Sequence, residues 1–575
     1  MPRSCIGSVR SCHNQTCHNQ DMHDASSTPV LIVGGGPVGL TLGHELSLHG
    51  VPFVLVERND TTTQAPKMDL TNSRSMELFS RLHLSERVRQ IGCPVDSPFD
   101  VVWVTGIDGH ELHRFSYPSQ TQVWERLFEV NDGTFPAEPP VRISQIVLEP
   151  ALRDALVDKP EADVRYGWAL ESFTQDDHGV TAIVRSTAGE TDELRAAYLA
   201  GCDGGSSVVR RQLEIGLEGA MGARHSYMIH FRSGRLDRLQ RFGVVWHTQS
   251  AAGTLIAQDD VDTWTLQTRV PDDVDPADLD PEVVLRSFLG LSDAEPLDAE
   301  ILLANAWTAH LVVADRYRQG KVFLCGDSAH QFIPTGGYGM NTGVGDAVDL
   351  GWKLGAVWNG WGGDRLLDSY EAERRPVARR NRDASGQHAR ARVQIAKEYA
   401  AHADLHHEGQ AGDLARASLG AAIQTIGNTE NECCGIEHGF RYSDSPVIPD
   451  AQPDLDFDPL VYRPSSEPGD RLPNVFLQDG WFHTEFLGRK RSLYSHLGAG
   501  FSIVTIGEQQ LTNAAGAART AGVPLTIVKI NDDFNEVFNH RILLVRPDHH
   551  VAWAADAAPD DWAPIFAAVT GRPIG

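Results

Sequence analysis

Cations are scarce in this chain. Lys and Arg number 50 against 77 Asp and Glu, a formal net charge of −27, which argues against a nucleic-acid backbone or an anionic membrane surface as partner. No window approaches the ~18 consecutive apolar residues that a membrane-spanning helix needs. Arg3 and Arg10 are not followed by the apolar core of roughly 7–15 residues that marks a secretory leader. Cysteine is thin as well: eight in 575 residues, scattered and without a CxxC pair. Neither a disulfide scaffold nor a dithiol motif is expected, and the cytoplasm is the expected compartment.

Metal-binding patterns are equally poor. Cys12-His13-Asn14-Gln15 is repeated at Cys17-His18-Asn19-Gln20, but residues 1–28 carry nothing that could pack a core and read as a disordered extension. Glu398, His402 and His406 share a four-residue spacing, yet no further ligand cluster accompanies them, and a solvated helix face is the expectation. No metal is expected.

What is present begins at Val30-Leu31-Ile32-Val33, a buried strand, followed by Gly34-x-Gly36-Pro37-Val38-Gly39, a helix to about His49, and a second strand ending in Glu57. This is a βαβ opening of a parallel sheet. Gly34 allows the tight turn, Gly36 lets backbone approach a pyrophosphate, and Gly39 lets helix and strand pack; the helix N-terminus faces the phosphate charge. Glu57 then stands where a carboxylate accepts hydrogen bonds from ribose hydroxyls. The pattern alone leaves NAD and FAD both open.

A later loop separates them. Lys321–Cys325 reads as another buried strand, followed by Gly326-Asp327 and then Pro334-Thr335-Gly336-Gly337-Tyr338-Gly339-Met340-Asn341 leading into a helix. Glycines ahead of a helix leave backbone N–H groups free to meet an electron-rich ring edge. A reduced flavin carries such charge near N1, so FAD is the expected cofactor.

With the glycine loop at Gly34, Asp203-Gly204 and Gly326-Asp327 in that order, the sequence resembles the flavoprotein aromatic hydroxylases, over about Pro29 to Arg382. Within them it resembles the phenol hydroxylase and 2,4-dichlorophenol 6-monooxygenase-like branch. The resemblance implies an α/β fold of mixed α+β character. A Rossmann-type FAD-binding domain (about 29–100, 140–225 and 310–400) would interleave with a mixed-sheet substrate domain (about 101–139 and 226–309). A connector (401–472) and a thioredoxin-like domain without CxxC (473–575) would follow.

By the same resemblance, Glu57 with the neighbouring Arg58 serves the adenosine ribose and Asp327 the ribityl chain. Arg74 and Gln145 approach the flavin, Pro334 caps its reactive face, and Gly339, Met340 and Asn341 bind its pyrimidine end. Asp203 and Gly204 serve FAD and nicotinamide. The implied reaction is reduction by NADPH or NADH, oxygen addition to give a C4a-hydroperoxyflavin, and hydroxylation of a small phenolic or other aromatic substrate, in a homodimer. Asp69, five residues before Arg74, is the candidate for proton handling. His225 and Tyr227 in the substrate sheet complete the catalytic candidates, with packing as their competing role, and Tyr338 is a candidate gate. Baeyer–Villiger or polyketide-tailoring chemistry, or a non-catalytic FAD-fold scaffold, are the rival readings.

Overall fold

The computed structural model describes residues 27–222, 225–271, 273–453, 457–482 and 489–573; the Cys/His repeat of the N-terminal extension lies outside them. Strand Ser27–Val33, helix Pro37–Leu48 and strand Phe53–Glu57 form the expected opening unit, with Val30 opposite Phe53 and Val33 opposite Val56 in parallel register. The strand is apolar on both faces because helices cover both: Val30, Leu31 and Ile32 are all fully buried.

Two much later strands join on the other side. Thr191–Gly201 runs parallel to Ser27–Val33, and Val322–Leu324 runs parallel to Thr191–Gly201. Ala162–Tyr166 adds a fourth parallel pairing beyond Phe53–Glu57. Parallel register has a direct consequence: Val33, Glu57, Gly201 and Leu324 all end at the same edge. The loops at Gly34, Arg58, Asp203 and Asp327 therefore meet there, although almost 300 residues of chain separate the first from the last. The carboxyl edge of a parallel sheet is where such folds bind ligands.

A second, seven-stranded sheet has the order Glu300–Thr308, His225–Arg232, Thr263–Arg269, Gly253–Ala257, His247–Ser250, Val101–Val104, Glu111–Phe115. Alternation sorts its faces. Tyr227, Ile229, Phe231, Leu255 and Leu266 form an apolar layer with Leu285 and Leu289 of the helix Pro281–Leu289. The opposite, inner face carries Trp103, which packs on Ile395 and Tyr399 of the long helix Asp364–Ala401. The helical tract after the glycine-rich loop is thus two helices, Tyr338–Trp358 and Asp364–Ala401, broken where Gly360 takes a left-handed turn.

The C-terminal unit is a four-stranded sheet, ordered Leu525–Ile530, Phe501–Ile506, Ile542–Val545, Val551–Ala555, with helices Ala514–Thr520 and Ala563–Val569. It shares a core with the rest. Trp352 of helix Tyr338–Trp358 meets Phe501 edge-on at 6.0 Å, beside Trp361 and Phe566. No described helix is long and apolar enough to cross a membrane.

Buried charge makes the second tie. Arg546 donates to Glu373 Oε1 (2.6 Å), Asp349 Oδ1 (2.9 Å) and Asp548 Oδ2 (2.6 Å), while Lys353 donates to Asp349 (2.7 Å) and Glu373 (2.5 Å). Burial alone would raise the Glu373 carboxyl, but Arg546 and Lys353 outweigh it and hold the group well below its ordinary value.

Removing one member should leave its partners charged and dry, so Glu373→Gln or Arg546→Met is expected to lower unfolding free energy by about 3–5 kcal/mol. Denaturant titration checks this, and a loss under about 1 kcal/mol would reject it. Because the Glu373 pKa is depressed, its contribution is complete above its unfolded value and lost as pH falls below about 4.5. Wild-type midpoints should therefore drop steeply in that range, and those of Glu373→Gln less so.

Candidate functional site

The first turn admits only glycine. Gly34 has φ +112°, and a Cβ there would sit 2.3 Å from the Cys202 carbonyl oxygen; one on Gly39 would sit 2.0 Å from that of Gly34. Gly36 has nothing within 4 Å of its missing Cβ, so its backbone faces open space. It caps the helix Pro37–Leu48, whose first-turn amides have no helical acceptor. Glu57 Oε2 accepts the Gly35 N–H (2.8 Å) and Oε1 accepts that of Asn59 (2.9 Å), which fixes the carboxylate at the lip of the turn.

Opposite, Asp203 and Asp327 border a cleft of about 520 Å³ with Arg58, Lys67, Gly204 and Arg210. Asp203 Oδ2 accepts from Val208 N (2.6 Å) and Val209 N (3.1 Å), whereas its Oδ1 is buried without a partner. Burial raises the Asp203 carboxyl above its ordinary value. The Asp327 turn is set by Asp346, a residue the sequence did not single out. Its Oδ2 accepts from Gly326 N (3.2 Å) and pairs with His330 Nε2 (3.0 Å), and its Oδ1 accepts from Arg374 Nε (2.7 Å). Burial would raise Asp346, but Arg374 and His330 reverse the sign and keep it low. Gly326, left-handed at φ +65°, packs on Val38.

The glycine-rich loop is pinned on two sides. Gly337 N–H donates to Pro334 O (2.9 Å), which leaves the Pro334 ring exposed. Asn341 Oδ1 accepts from Asn72 N (3.0 Å), and its Nδ2 donates to Leu70 O (3.1 Å) and Gly337 O (2.7 Å). Gly339 faces Asp327, with Met340 next along the same first turn. Gln145 is buried nearby, its N–H on Met68 O (3.0 Å) and its amide on Glu149 (2.9 Å). An open glycine turn, an orphaned Asp203 oxygen, the cleft bordered by Asp203 and Asp327, and a helix N-terminus at Gly339 beside Asp327 fit a flavin dinucleotide.

Several expectations need correction. Arg74 is 6% exposed and turns to the C-terminal unit, donating to Glu77 (2.9 Å) and Asp548 O (2.6 Å) with His549 beside it. Its guanidinium is thus committed to Glu77 and to the C-terminal unit. Tyr227, 5% exposed, lies in the apolar layer against Pro281–Leu289, on the face turned away from the cleft. Strand parity put it there. His225 is an exposed strand-end residue facing Thr308 Oγ1 (2.9 Å). Tyr338 is no gate: its ring is buried and its hydroxyl meets His388 Nε2 at 3.0 Å.

Asp69 stands differently. Its Oδ2 accepts from Trp246 Nε1 (2.8 Å) and meets His247 Nε2 (3.2 Å), which joins the glycine-rich loop's neighbourhood to the seven-stranded sheet. Burial would raise this carboxyl, but the His247 and Trp246 hydrogen bonds, with Arg142 nearby, hold it below its ordinary value. Sequence reasoning missed His247 and Trp246; only strand alternation in Val245–Gln249 hinted at an inward face.

Residues 27–385 match the family model for an FAD-binding domain, and residues 465–573 match that for the C-terminal domain of aromatic-ring hydroxylases. The FAD-dependent monooxygenase apdD of Emericella nidulans is 36% identical, over 92% of this chain and 87% of that protein. A putative polyketide hydroxylase of Streptomyces halstedii is 33% identical, over 91% and 93%. Among solved structures, the flavin-dependent monooxygenase PieE in complex with FAD and substrate superposes with a TM-score of 0.83 at 29% identity, covering 96% of this chain and all of that one.

Asp327→Ala is expected to cut retained flavin at least tenfold, about 1.4 kcal/mol of binding. Absorbance at the flavin bands after gel filtration reads this, and full retention would sink the assignment. Asp346→Asn, which strands the buried Arg374, should also lower the unfolding midpoint, whereas Asp327→Ala should not.

Proposed function

This chain belongs to the FAD-binding aromatic-ring hydroxylases and is an FAD-dependent monooxygenase, and from that premise we propose that it hydroxylates a phenolic ring within an extended, multi-ring substrate, with NAD(P)H and O2 as co-substrates. The observation that carries this reading is the inner face of the seven-stranded sheet. From His247 to Trp307 it spans four strand spacings, roughly 19 Å, several times the width of one ring. Along it lie His247, Gln249, Thr254, Gln267 and Trp307, polar groups that suit scattered hydroxyl and carbonyl substituents. Relatives named for polyketide hydroxylation, and a related structure holding aklavinone, support a substrate of that size.

When bound, the flavin supplies the two-electron chemistry that lets NAD(P)H activate oxygen. The chain supplies the rest. Glu57 would hold the ribose, the turn Gly34–Gly39 and its helix would hold the pyrophosphate, and Asp203 with Asp327 would hold the ribityl side. First-turn amides at Gly339 and Met340 would serve the pyrimidine end, where negative charge would collect. Pro334 and the loop behind it would close one side of the ring. The long helix over the inner sheet face keeps the reacting region dry, so that activated oxygen is spent on substrate instead of released.

A substrate panel tests the reading. Fused-ring phenols of polyketide type should accelerate anaerobic flavin bleaching by NADPH or NADH at least tenfold, with oxygen uptake matched to product. Equal acceleration by single-ring phenols would remove the extended substrate, and no acceleration by any phenol would remove the aromatic one.

A further inference from the structure

The short helix Cys434–His438 carries a carboxyl into a place where charge is poorly tolerated. Glu437 borders a cavity of about 30 Å³ that Asn72, Arg74, Tyr338, Asn341 and Arg374 also line, room for roughly two waters. Its side chain is 22% accessible, so water in the cavity can reach it. Arg74, on the same cavity, has a buried Nε without a hydrogen-bond partner among the described residues. Water held there has both a donor and a carboxyl to meet.

No cation answers Glu437. Among the described residues the one basic group within 4 Å is His438 Nε2, at 3.7 Å, and burial pulls that imidazole down to about 3, so it is neutral. The other neighbouring charges are already engaged. Arg74 donates to Glu77 (2.9 Å) and Asp548 O (2.6 Å), and Arg471 donates to Glu77 (3.0 Å). Arg374 is on Asp346 (2.7 Å) and Arg380 on Ile436 O (2.7 Å). Burial keeps Cys434 and Tyr338 protonated and His549 neutral. Burial therefore dominates and pushes the Glu437 carboxyl up to about 8, opposed by the Ser73 N–H it accepts and aided by the like charge of Glu77. It is a neutral acid at pH 7.

The Ser73 contact leads to the cofactor loop. Ser73 opens the helix Ser73–Arg81, and the preceding residue, Asn72, caps that helix and gives its N–H to Asn341 Oδ1 (3.0 Å). Asn341 Nδ2 in turn holds Gly337 O (2.7 Å) and Leu70 O (3.1 Å). A continuous run of hydrogen bonds and one peptide link thus joins the carboxyl to the glycine-rich loop.

We propose that Glu437 is a protonation switch for that loop: neutral, it lets Pro334–Asn341 seat against the flavin, and ionised, it unseats them. Ionisation breaks the carboxyl O–H bond and passes the proton to solvent through the cavity; no other bond changes. The new anion is repelled by Glu77 and competes for the Asn72 N–H, which loosens Asn341 and with it Gly337. Flavin binding weakens as pH rises. Stability moves the same way: a carboxyl raised on folding costs stability as pH climbs from its ordinary 4.5 to about 8, and the loss levels off above that.

The test is FAD titration of the full chain, followed by flavin fluorescence, from about pH 6.5 to about 9. The wild-type dissociation constant should rise at least threefold across that range. Glu437→Gln, which cannot ionise, should show less than half that rise. A smaller rise in wild type, or half or more of it in Glu437→Gln, overturns the proposal. Should the variant fail to fold, infrared spectra of wild type decide: protonated-carboxyl absorption should fall between about pH 7 and 9.5, and unchanged absorption overturns it equally. The titrations contain no phenol, so their outcome is separate from that of the substrate panel.

Discussion

Two adjacent residues of the long helix, Glu373 and Arg374, hold the molecule together by pointing opposite demands at two partners. Arg374 serves Asp346, which sets the turn carrying Asp327; Glu373 serves Arg546 and Lys353, which anchor the C-terminal unit. All of these groups are dry. A dry charge is tolerable only when its partners are in place, so neither half of the network is favourable until the other has assembled. The cofactor turn and the C-terminal unit are coupled through one helical step.

That coupling explains how a site made of loops can be rigid. None of the segments bordering the cleft is long enough to define its own shape. The turn at Gly34 leans on Cys202, the turn at Gly326 on Val38 and Asp346, and the loop at Gly337 on Asn341 and through it on Leu70. Each loop is held by a contact from a different strand or helix. Preorganisation is inherited from the sheet edge and the buried ions.

What was legible in the sequence follows from how far each determinant reaches. The βαβ opening was legible because a strand, a glycine turn and a helix constrain one another within thirty residues. The C-terminal sheet was legible from alternating apolar runs. Residues whose meaning depends on distant partners were not. Arg74 stands at a helix start beside the expected cofactor, and nothing nearby in sequence reveals that Asp548 claims it. Tyr227 and His247 sit in similar strands; which one faces inward depends on strand parity, and a shift of one residue reverses it. His247 becomes conspicuous only once Asp69, 178 positions away, is seen beside it.

The parallel sheet places the strand Ser27–Val33 between one made soon after it and one that is not made until residue 191, and the last motif loop waits for residue 327. On a ribosome, then, the nascent chain exposes an unpaired apolar strand edge until residue 201 of 575 has been made. Flavin capture becomes a late event, and cells that make this protein faster than they can shield that edge should accumulate it as colourless aggregate rather than as yellow enzyme.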